Sequence, residues 1–504
     1  MTDLCFEPAH KLAKMLRERA VSAEALLGQF ESRVAARNPA INAIIAMDFE
    51  AARQRAREAD AAIARGEWWG PLHGLPMTIK DTYEVTGFAT VCGAPALKDY
   101  RPKANAVSVQ RLRDAGAIVF GKTNVPMYAG DIQTYNKVFG VTRNPWNLDR
   151  TPGGSSGGAA AALAAGLAPL ELGSDLAGSI RIPAHFCGLF GHKPSSGLVS
   201  MRGHIPGPPG TAAEPDLAVS GPLARSAEDL ALALKVIAGP TPPAATAWQL
   251  SLPEAPVTLK GLRVQAWFED AYCPLESGVR SQLDQALAKL ANAGCVVTRG
   301  APAGFSLEEM CVLYSRLMAG LFCAGLPPKT YRRAWIAGRL AEWFGLDRPN
   351  TMAGFLASAT QSHRDWMFAH EKRERLRLRF EDFFKGADVL LMPVTATRAP
   401  PHAGDISAYK RTIAVDGALQ PYTSQFTWIS PASLGGLPAT ATPVGVAAGL
   451  PVGVQVVGAY GRDLFTIEVS RQLAELCGSA ALRAPEPGEP RAQAAGAMAA
   501  APVT

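Results

Sequence analysis

Thr151-Pro152-Gly153-Gly154-Ser155-Ser156-Gly157-Gly158-Ala159-Ala160 is the stretch from which the rest of the chain can be read. Its glycines tolerate positive φ, let the backbone approach a bound group closely and present N–H groups in succession. Ala159 to Ala168 follows with no breaker before Gly166, so the loop opens into a helix whose small side chains permit close packing. Towards the C-terminus comes a second small-residue loop, Gly173-Ser174-Asp175-Leu176-Ala177-Gly178-Ser179-Ile180-Arg181. Towards the N-terminus stands Gly74-Leu75-Pro76-Met77-Thr78-Ile79-Lys80-Asp81, an apolar and β-branched run that reads as a strand ending in a lysine.

Further out, strand and helix signals alternate. Helix Val107–Asp114 precedes an apolar run at 117–122, and a strand–helix–strand unit runs from Leu262 through Val279–Ala293 to Val297. Strands recur at 388–395 and 451–457. Alternation of this kind predicts an α/β fold: one large domain with a mixed sheet covered by helices on both faces. Residues 1–65 read as an N-terminal helical region, with Ser22 as an N-cap before Leu26, Leu27 and Phe30. Residues 66–480 read as the main domain, which holds both small-residue loops, with a mostly helical stretch at about 305–385. The large apolar groups there, among them Met310, Tyr314, Trp335, Trp343, Phe344 and Met352, read mainly as helical core, with a minority available to line a pocket. From 481 to 504 the chain is rich in Ala, Pro and Glu and reads as a disordered tail.

Bulk properties narrow the function. With 504 residues, 48% hydrophobic and 19% charged, the chain has globular composition and ample length for a core. A net charge of +6, scattered rather than striped with aromatics, argues against nucleic-acid binding. The 8 cysteines include no C-x-x-C pair, and no close His/Cys set has ligand spacing, so neither disulfides nor zinc is expected. No run of about 18 strongly apolar residues occurs, and the N-terminus lacks a signal-peptide pattern, so the expectation is a cytoplasmic protein without a membrane partner.

A serine hydroxyl is a weak nucleophile and needs a base. Residues 153–157 match the letters of G-x-S-x-G, but no clear strand precedes them as a nucleophile elbow requires. Lys80, at the end of a buried strand, is the alternative: desolvation lowers an ammonium pKa, and a neutral lysine serves as general base. The N–H groups of Leu176, Ala177, Gly178 and Ser179 could form an oxyanion hole, each such donor being worth roughly 3–4 kcal/mol. Asp175 and Arg181 bracket that loop, as a buried ion pair fixing its shape or as unrelated surface charges. Base, hydroxyls and hole together equip the chain for acyl transfer through a serine ester.

These segments resemble the amidase signature family, with further similarity at Gly121–Pro126, Phe186–Ser195, Ser220–Arg225, Pro431–Pro443 and Leu450–Gln455, so that the resemblance spans roughly residues 5–480. It implies the fold named above and a Ser–cisSer–Lys triad. Lys80 would be the base, Ser155 the relay after a cis peptide from Gly154, and Ser179 the nucleophile, with Ser156 supporting the relay by hydrogen bonding. One departure is Ala177, where the family usually has glycine; alanine disfavours positive φ and fills space near the acyl carbon. The implied activity is hydrolysis of small-molecule carboxylic amides to acid and amine or ammonia, without cofactor or metal. Met127 and Tyr128, with the aromatic helices of 305–360, are candidate walls of an apolar or aromatic pocket.

The segment His192–Val199, followed by Gly203–Gly210, resembles stand-alone bacterial amidases. The alternative is the glutaminase subunit of an aminoacyl-tRNA amidotransferase, which shares the triad. It would need a pocket for the charged ends of glutamine and a protein partner. A catalytically dead scaffold is a third reading, and ester or carbamate substrates fit the same acyl-enzyme chemistry. An apolar patch on the N-terminal helices is compatible with a homodimer.

Overall fold

Strand pairing organises the molecule. The computed structural model describes residues 4–205, 210–254, 257–323, 325–348, 351–404 and 406–486. Among these, one sheet of 11 strands is formed by β1 (Ile44–Met47), β2 (Pro76–Lys80), β3 (Ile118–Thr123), β4 (Leu170–Asp175), β5 (Phe190–Lys193), β6 (Val219–Ala224), β7 (Arg263–Ala266), β8 (Val296–Arg299), β9 (Val389–Pro393), β10 (Ala439–Ala447) and β11 (Leu450–Val457). Their spatial order is β1-β3-β2-β4-β6-β5-β10-β11-β9-β7-β8. The trio β3-β2-β4 is parallel, as is β9-β7-β8, and the strands between them pair antiparallel. This is the mixed α/β sheet expected.

Helices cover both faces. They are α1 (Ala9–Arg17), α2 (Ala23–Ile41), α3 (Phe49–Ala64), α4 (Val107–Asp114), α5 (Gly157–Ala164), α6 (Arg181–Cys187), α7 (Ala227–Ile237), α8 (Ser277–Asn292), α9 (Leu307–Cys323), α10 (Pro328–Trp343), α11 (Met352–Ala359), α12 (His363–Gly386), α13 (Ser430–Leu434) and α14 (Asp463–Cys477). One apolar cluster joins α1–α4 and α7 to Met77, Ile79, Leu170 and Leu172 on one face of the parallel trio. A second gathers Ala177, Ile180, Tyr314, Trp428 and Ile429 around the signature loops, and a third packs α8 and α14 on β7, β9 and β11. Ser22 caps α2 as expected, its hydroxyl accepting from the Ala25 N–H at 3.1 Å.

Three differences from the sequence reading have physical causes. The stretch read as helical to residue 65 contains β1: Asn42 ends α2 at φ 56°, and the Asn38 amide oxygen accepts from the N–H groups of Ala43 and Ile44, both at 2.9 Å, diverting the chain into a strand. Strands β4, β5 and β6 carry no strand signal in the sequence; they are buried along their whole length, so they show no polar–apolar alternation, and their Gly, Ser and Pro content resembles loop. Helix α10 is not core. It packs through the small residues Gly338 and Ala341, while Trp335, Trp343 and Phe344 are exposed, Trp343 to 85%. The tail read from 481 falls, from residue 487, outside the described residues. Among the described residues no helix is long and apolar enough to cross a membrane.

Candidate active site

The parallel trio aims its C-terminal ends at the signature loops, the side of such a sheet where α/β proteins bind ligands. Lys80 is the last residue of β2 and is fully buried. Its Nζ donates to Ser155 Oγ at 2.7 Å, to Ser174 Oγ at 3.0 Å and to the Ser174 carbonyl at 3.3 Å. Burial, partly opposed by the charges of Asp175 and Glu171, brings the Lys80 pKa down to about 7. Lys80 is thus an amine able to hold or release a proton near neutrality, in contact with a hydroxyl.

Ser155 follows a cis peptide from Gly154. Glycine is required at 154 because a Cβ would lie 2.6 Å from the Asp131 carbonyl oxygen and 2.9 Å from the Gln133 nitrogen, in the loop that follows Met127. Ser156 differs from its expected role: its Oγ donates to the Ser174 carbonyl at 3.4 Å, not to Ser155, and its N–H donates to the Ser179 carbonyl at 3.2 Å. It stitches the two serine loops together.

The second loop is shaped by the buried pair of Asp175 and Arg181, so the surface-charge reading is set aside. Arg181 Nε and Nη2 reach the two carboxylate oxygens, each at 3.0 Å, and the guanidinium also donates to the Ile429 carbonyl, Gln455 Oε1 and Ser433 Oγ. Burial pushes the Asp175 pKa up, but the charge and hydrogen bonds of Arg181 outweigh it and hold the carboxyl below its usual range. Asp175 accepts from the N–H groups of Gly178 (2.9 Å), Ile180 (3.2 Å) and Arg181 (3.3 Å), winding the chain around it. This corrects the expected oxyanion set: the Gly178 N–H is taken by Asp175, which leaves those of Leu176, Ala177 and Ser179 as candidates. Gly178 itself needs its glycine, with φ +83° and Ile182 Cδ1 only 2.7 Å from where a Cβ would stand. Ala177 is not among the residues of positive φ, so the alanine imposes no backbone cost there.

Several contributors have no signal of their own in the sequence. Ser174 receives Lys80, and the His204 Nε2 approaches the same hydroxyl at 2.8 Å. Burial, with Lys80 nearby, holds His204 well below its usual pKa and therefore neutral. Tyr314 on α9 donates to the Leu176 carbonyl at 2.5 Å and fixes the start of the loop. No local motif marks such residues; only folding brings 80, 174, 204 and 314 together. Met127 is 54% exposed, on a rim beside the loop that abuts Gly154. A cavity of about 160 Å³ lies along α9 and α11, walled by Met318, Phe355, Tyr409 and Phe426 and carrying Arg316, Glu342 and Asp347. Met318 and Phe426 belong to the same apolar cluster as Leu176 and Ala177.

The structure thus brings a buried lysine, Ser155 and the Leu176–Ser179 loop to one end of the parallel trio. Comparison with known proteins agrees in kind: the Amidase family model matches residues 25–466. The A subunit of glutamyl-tRNA(Gln) amidotransferase from Acidothermus cellulolyticus is 35% identical over 481 residues, covering 91% of this chain and 92% of that protein. The solved structure of 6-aminohexanoate cyclic dimer hydrolase is 29% identical, with a TM-score of 0.75 over 95% of this chain and 99% of that one. A bacterial aryl acylamidase of the amidase signature family, at 24% identity, shares the fold with a TM-score of 0.78, covering 96% of this chain and 99% of that one. The chain belongs to the Amidase family, and its chemistry is that of amide hydrolases and amidotransferases.

Proposed function

We propose that the protein cleaves a carboxylic amide through an acyl-enzyme on Ser179, over a catalytic unit of about 66–480 packed against the N-terminal helices. The observation that carries this is the 2.7 Å contact of the fully buried Lys80 Nζ with Ser155 Oγ, on the loop bonded to the Ser179 carbonyl. Neutral Lys80 takes the Ser155 proton as Ser155 takes that of Ser179, and Ser179 Oγ attacks the amide carbon. The N–H groups of Leu176, Ala177 and Ser179 receive the oxyanion. The proton returns through Ser155 to the departing nitrogen as the C–N bond breaks, and water then cleaves the ester by the reverse relay. No step calls for a metal or a cofactor.

Two finer readings remain distinct. The curated relatives are the A subunits of amidotransferases, and this favours the glutaminase reading over the stand-alone amidase expected from the sequence. In keeping with it, the cavity carries both charge signs, Arg316 against Glu342 and Asp347, as an amino-acid zwitterion would need. The stand-alone reading is supported by the apolar and aromatic walls Met318, Phe355, Tyr409 and Phe426.

The test is labelling with a fluorophosphonate and peptide mapping, for wild type, Ser179→Ala and Lys80→Ala. Label on Ser179 that is lost in both variants supports the scheme; a folded wild type that is neither labelled nor active on any amide defeats it. Ammonia release from glutamine that requires an added protein partner selects the amidotransferase reading, whereas turnover of aryl or fatty amides by the chain alone selects the other.

A further inference from the structure

One residue pair back along the sheet from Lys80 lies a carboxyl that the acyl-transfer scheme does not use. Glu171 on β4 is paired with Thr78 on β2 and with Leu223 on β6. Residues two apart on a strand share a face, and directly paired residues share it across strands. Thr78, Lys80, Thr123 and Glu171 therefore all project to one side of the parallel trio. The opposite side carries Met77, Ile79, Leu170 and Leu172, which pack into the N-terminal apolar cluster. Glu171 is 1% exposed; its carboxyl oxygens have no partner at normal hydrogen-bond geometry, and the hydroxyls of Thr78 and Thr123, themselves without another partner, are the donors facing it. A buried carboxyl so weakly held is unfavourable unless it is protonated or answers a nearby charge. Lys80 is the cation on its own face.

The remaining groups around this pair are accounted for. From β4, Lys80 is also faced by Asp175, which is committed to Arg181. Cys92, from the loop after β2, is held as a thiol by burial, and His204 is held neutral. Tyr83 faces Glu171, and burial raises its pKa, so it too is uncharged. Helix α5, which packs on β2, β3 and β4, is Gly-Gly-Ala-Ala-Ala-Ala-Leu-Ala and offers no titratable side chain, and β6 offers none. Lys122 pairs in register with Ile79, hence faces the other way, and is bound to Asp81 at 2.9 Å.

We propose that Glu171 is a positioning residue for the amide-cleaving reaction: acting through Lys80, its carboxylate sets the pH at which the base becomes neutral. The inference rests on Lys80 being the base of the proposed function. Burial drives the two groups in opposite directions, Lys80 down and Glu171 up, each to about 7; the hydroxyls of Thr78 and Thr123, and after them the charge of Lys80, oppose the rise of Glu171, and Glu171 adds to Asp175 in opposing the fall of Lys80. An ionised Glu171 favours the ammonium and so raises the pH at which Lys80 releases its proton. Without it the amine is free at lower pH.

The test uses Glu171→Gln and the apolar Glu171→Leu in the full chain, with two readouts. One is the pH dependence of Ser179 acylation by a fluorophosphonate. The other is the titration of Lys80 Nζ by NMR of lysine-¹⁵N-labelled protein, assigned against Lys80→Met. In both variants the acid limb and the Nζ titration are expected to move together to lower pH by about one unit, with the high-pH plateau unchanged. A folded variant whose Nζ titration coincides with wild type, or whose plateau falls without a shift of the limb, overturns the proposal. If folded wild type is neither labelled nor active on any amide, the base assignment fails on its own, and the Nζ titration still decides whether Glu171 governs Lys80. If neither variant folds, wild type decides: ionisation of the Glu171 carboxyl, followed by infrared difference spectra, must be matched by a reciprocal step at Lys80 Nζ, and its absence overturns the proposal.

Discussion

At the residue scale the site joins one neutralisable amine to one fixed ion pair, and the two respond differently to change. Lys80 contributes by losing charge, so acylation of Ser179 should rise with pH through an inflection near 7 and then level off; a rate flat from pH 5 to 9 would contradict a lysine base. Ser179→Ala should lower turnover by at least about 10³-fold with the melting temperature nearly unchanged. Asp175 and Arg181 contribute by keeping charge, and neither partner can be spared. Arg181→Ala strands a buried carboxylate and is expected to cost about 3–5 kcal/mol, read as a drop in the denaturation midpoint. A stability loss within about 0.5 kcal/mol would show that the pair is not what shapes the loop. Ala177→Gly should lower the midpoint slightly, a loss of about 0.5–1 kcal/mol, and leave labelling intact, because the present backbone does not rely on positive φ there and glycine only adds freedom to the unfolded chain.

At the element scale, the parts legible in the sequence are those whose signals are local. Ser22 announces the cap of α2, and the apolar run ending in Lys80 announces β2. The signature loops announce the serines because glycine spacing reports backbone demands directly. What cannot be read is set by distant chain. Strands β4, β5 and β6 are buried on both faces, so no period marks them, and Ser174, His204, Tyr314 and Glu171 acquire their relation to Lys80 only through sheet register and packing. Helix α10 shows the converse error. Its aromatic content resembles core, yet Ile336, Leu340 and Trp343 recur at helical spacing on the side away from Gly338 and Ala341 and are exposed. Replacing these three by Gln, Lys and Gln should therefore change stability by no more than about 0.5 kcal/mol per site. A cooperative loss of several kcal/mol in thermal unfolding would mean that the stripe is buried in solution.

At the scale of the whole molecule, the N-terminal segment is tied to α5, the helix that follows Ser155 and Ser156, so damage far from the site should reach it. Half-buried Arg225 donates to the carbonyls of Leu163 and Ala168, at the C-terminal end of α5 and just beyond, and to those of Cys5 and Glu7. Asp229 on α7 caps α1 by accepting from the N–H groups of Ala9 and His10, and the His10 ring Nδ1 lies 2.8 Å from the same carboxylate. The hydrogen bond to Asp229 raises the pKa of His10 above 6.5 against the opposing effect of burial. A raised folded pKa means that this contact's contribution is complete below pH 6.5 and fades as pH climbs through the folded value. His10→Gln should accordingly lower the melting temperature more at pH 5.5 than at pH 8.5. An equal drop at both pH values would show that the protonated ring does no holding. Deleting residues 1–20 goes further, since it exposes the partners of Leu12 and Leu16 and strips Arg225 of two acceptors; two buried leucines alone are worth about 3–6 kcal/mol. The truncated chain should melt earlier and lose fluorophosphonate labelling at a lower temperature than wild type, the two losses coinciding because α5 carries both the N-terminal contacts and the Ser156 stitch. Labelling that outlasts the melting of the N-terminal segment would separate that segment from the site.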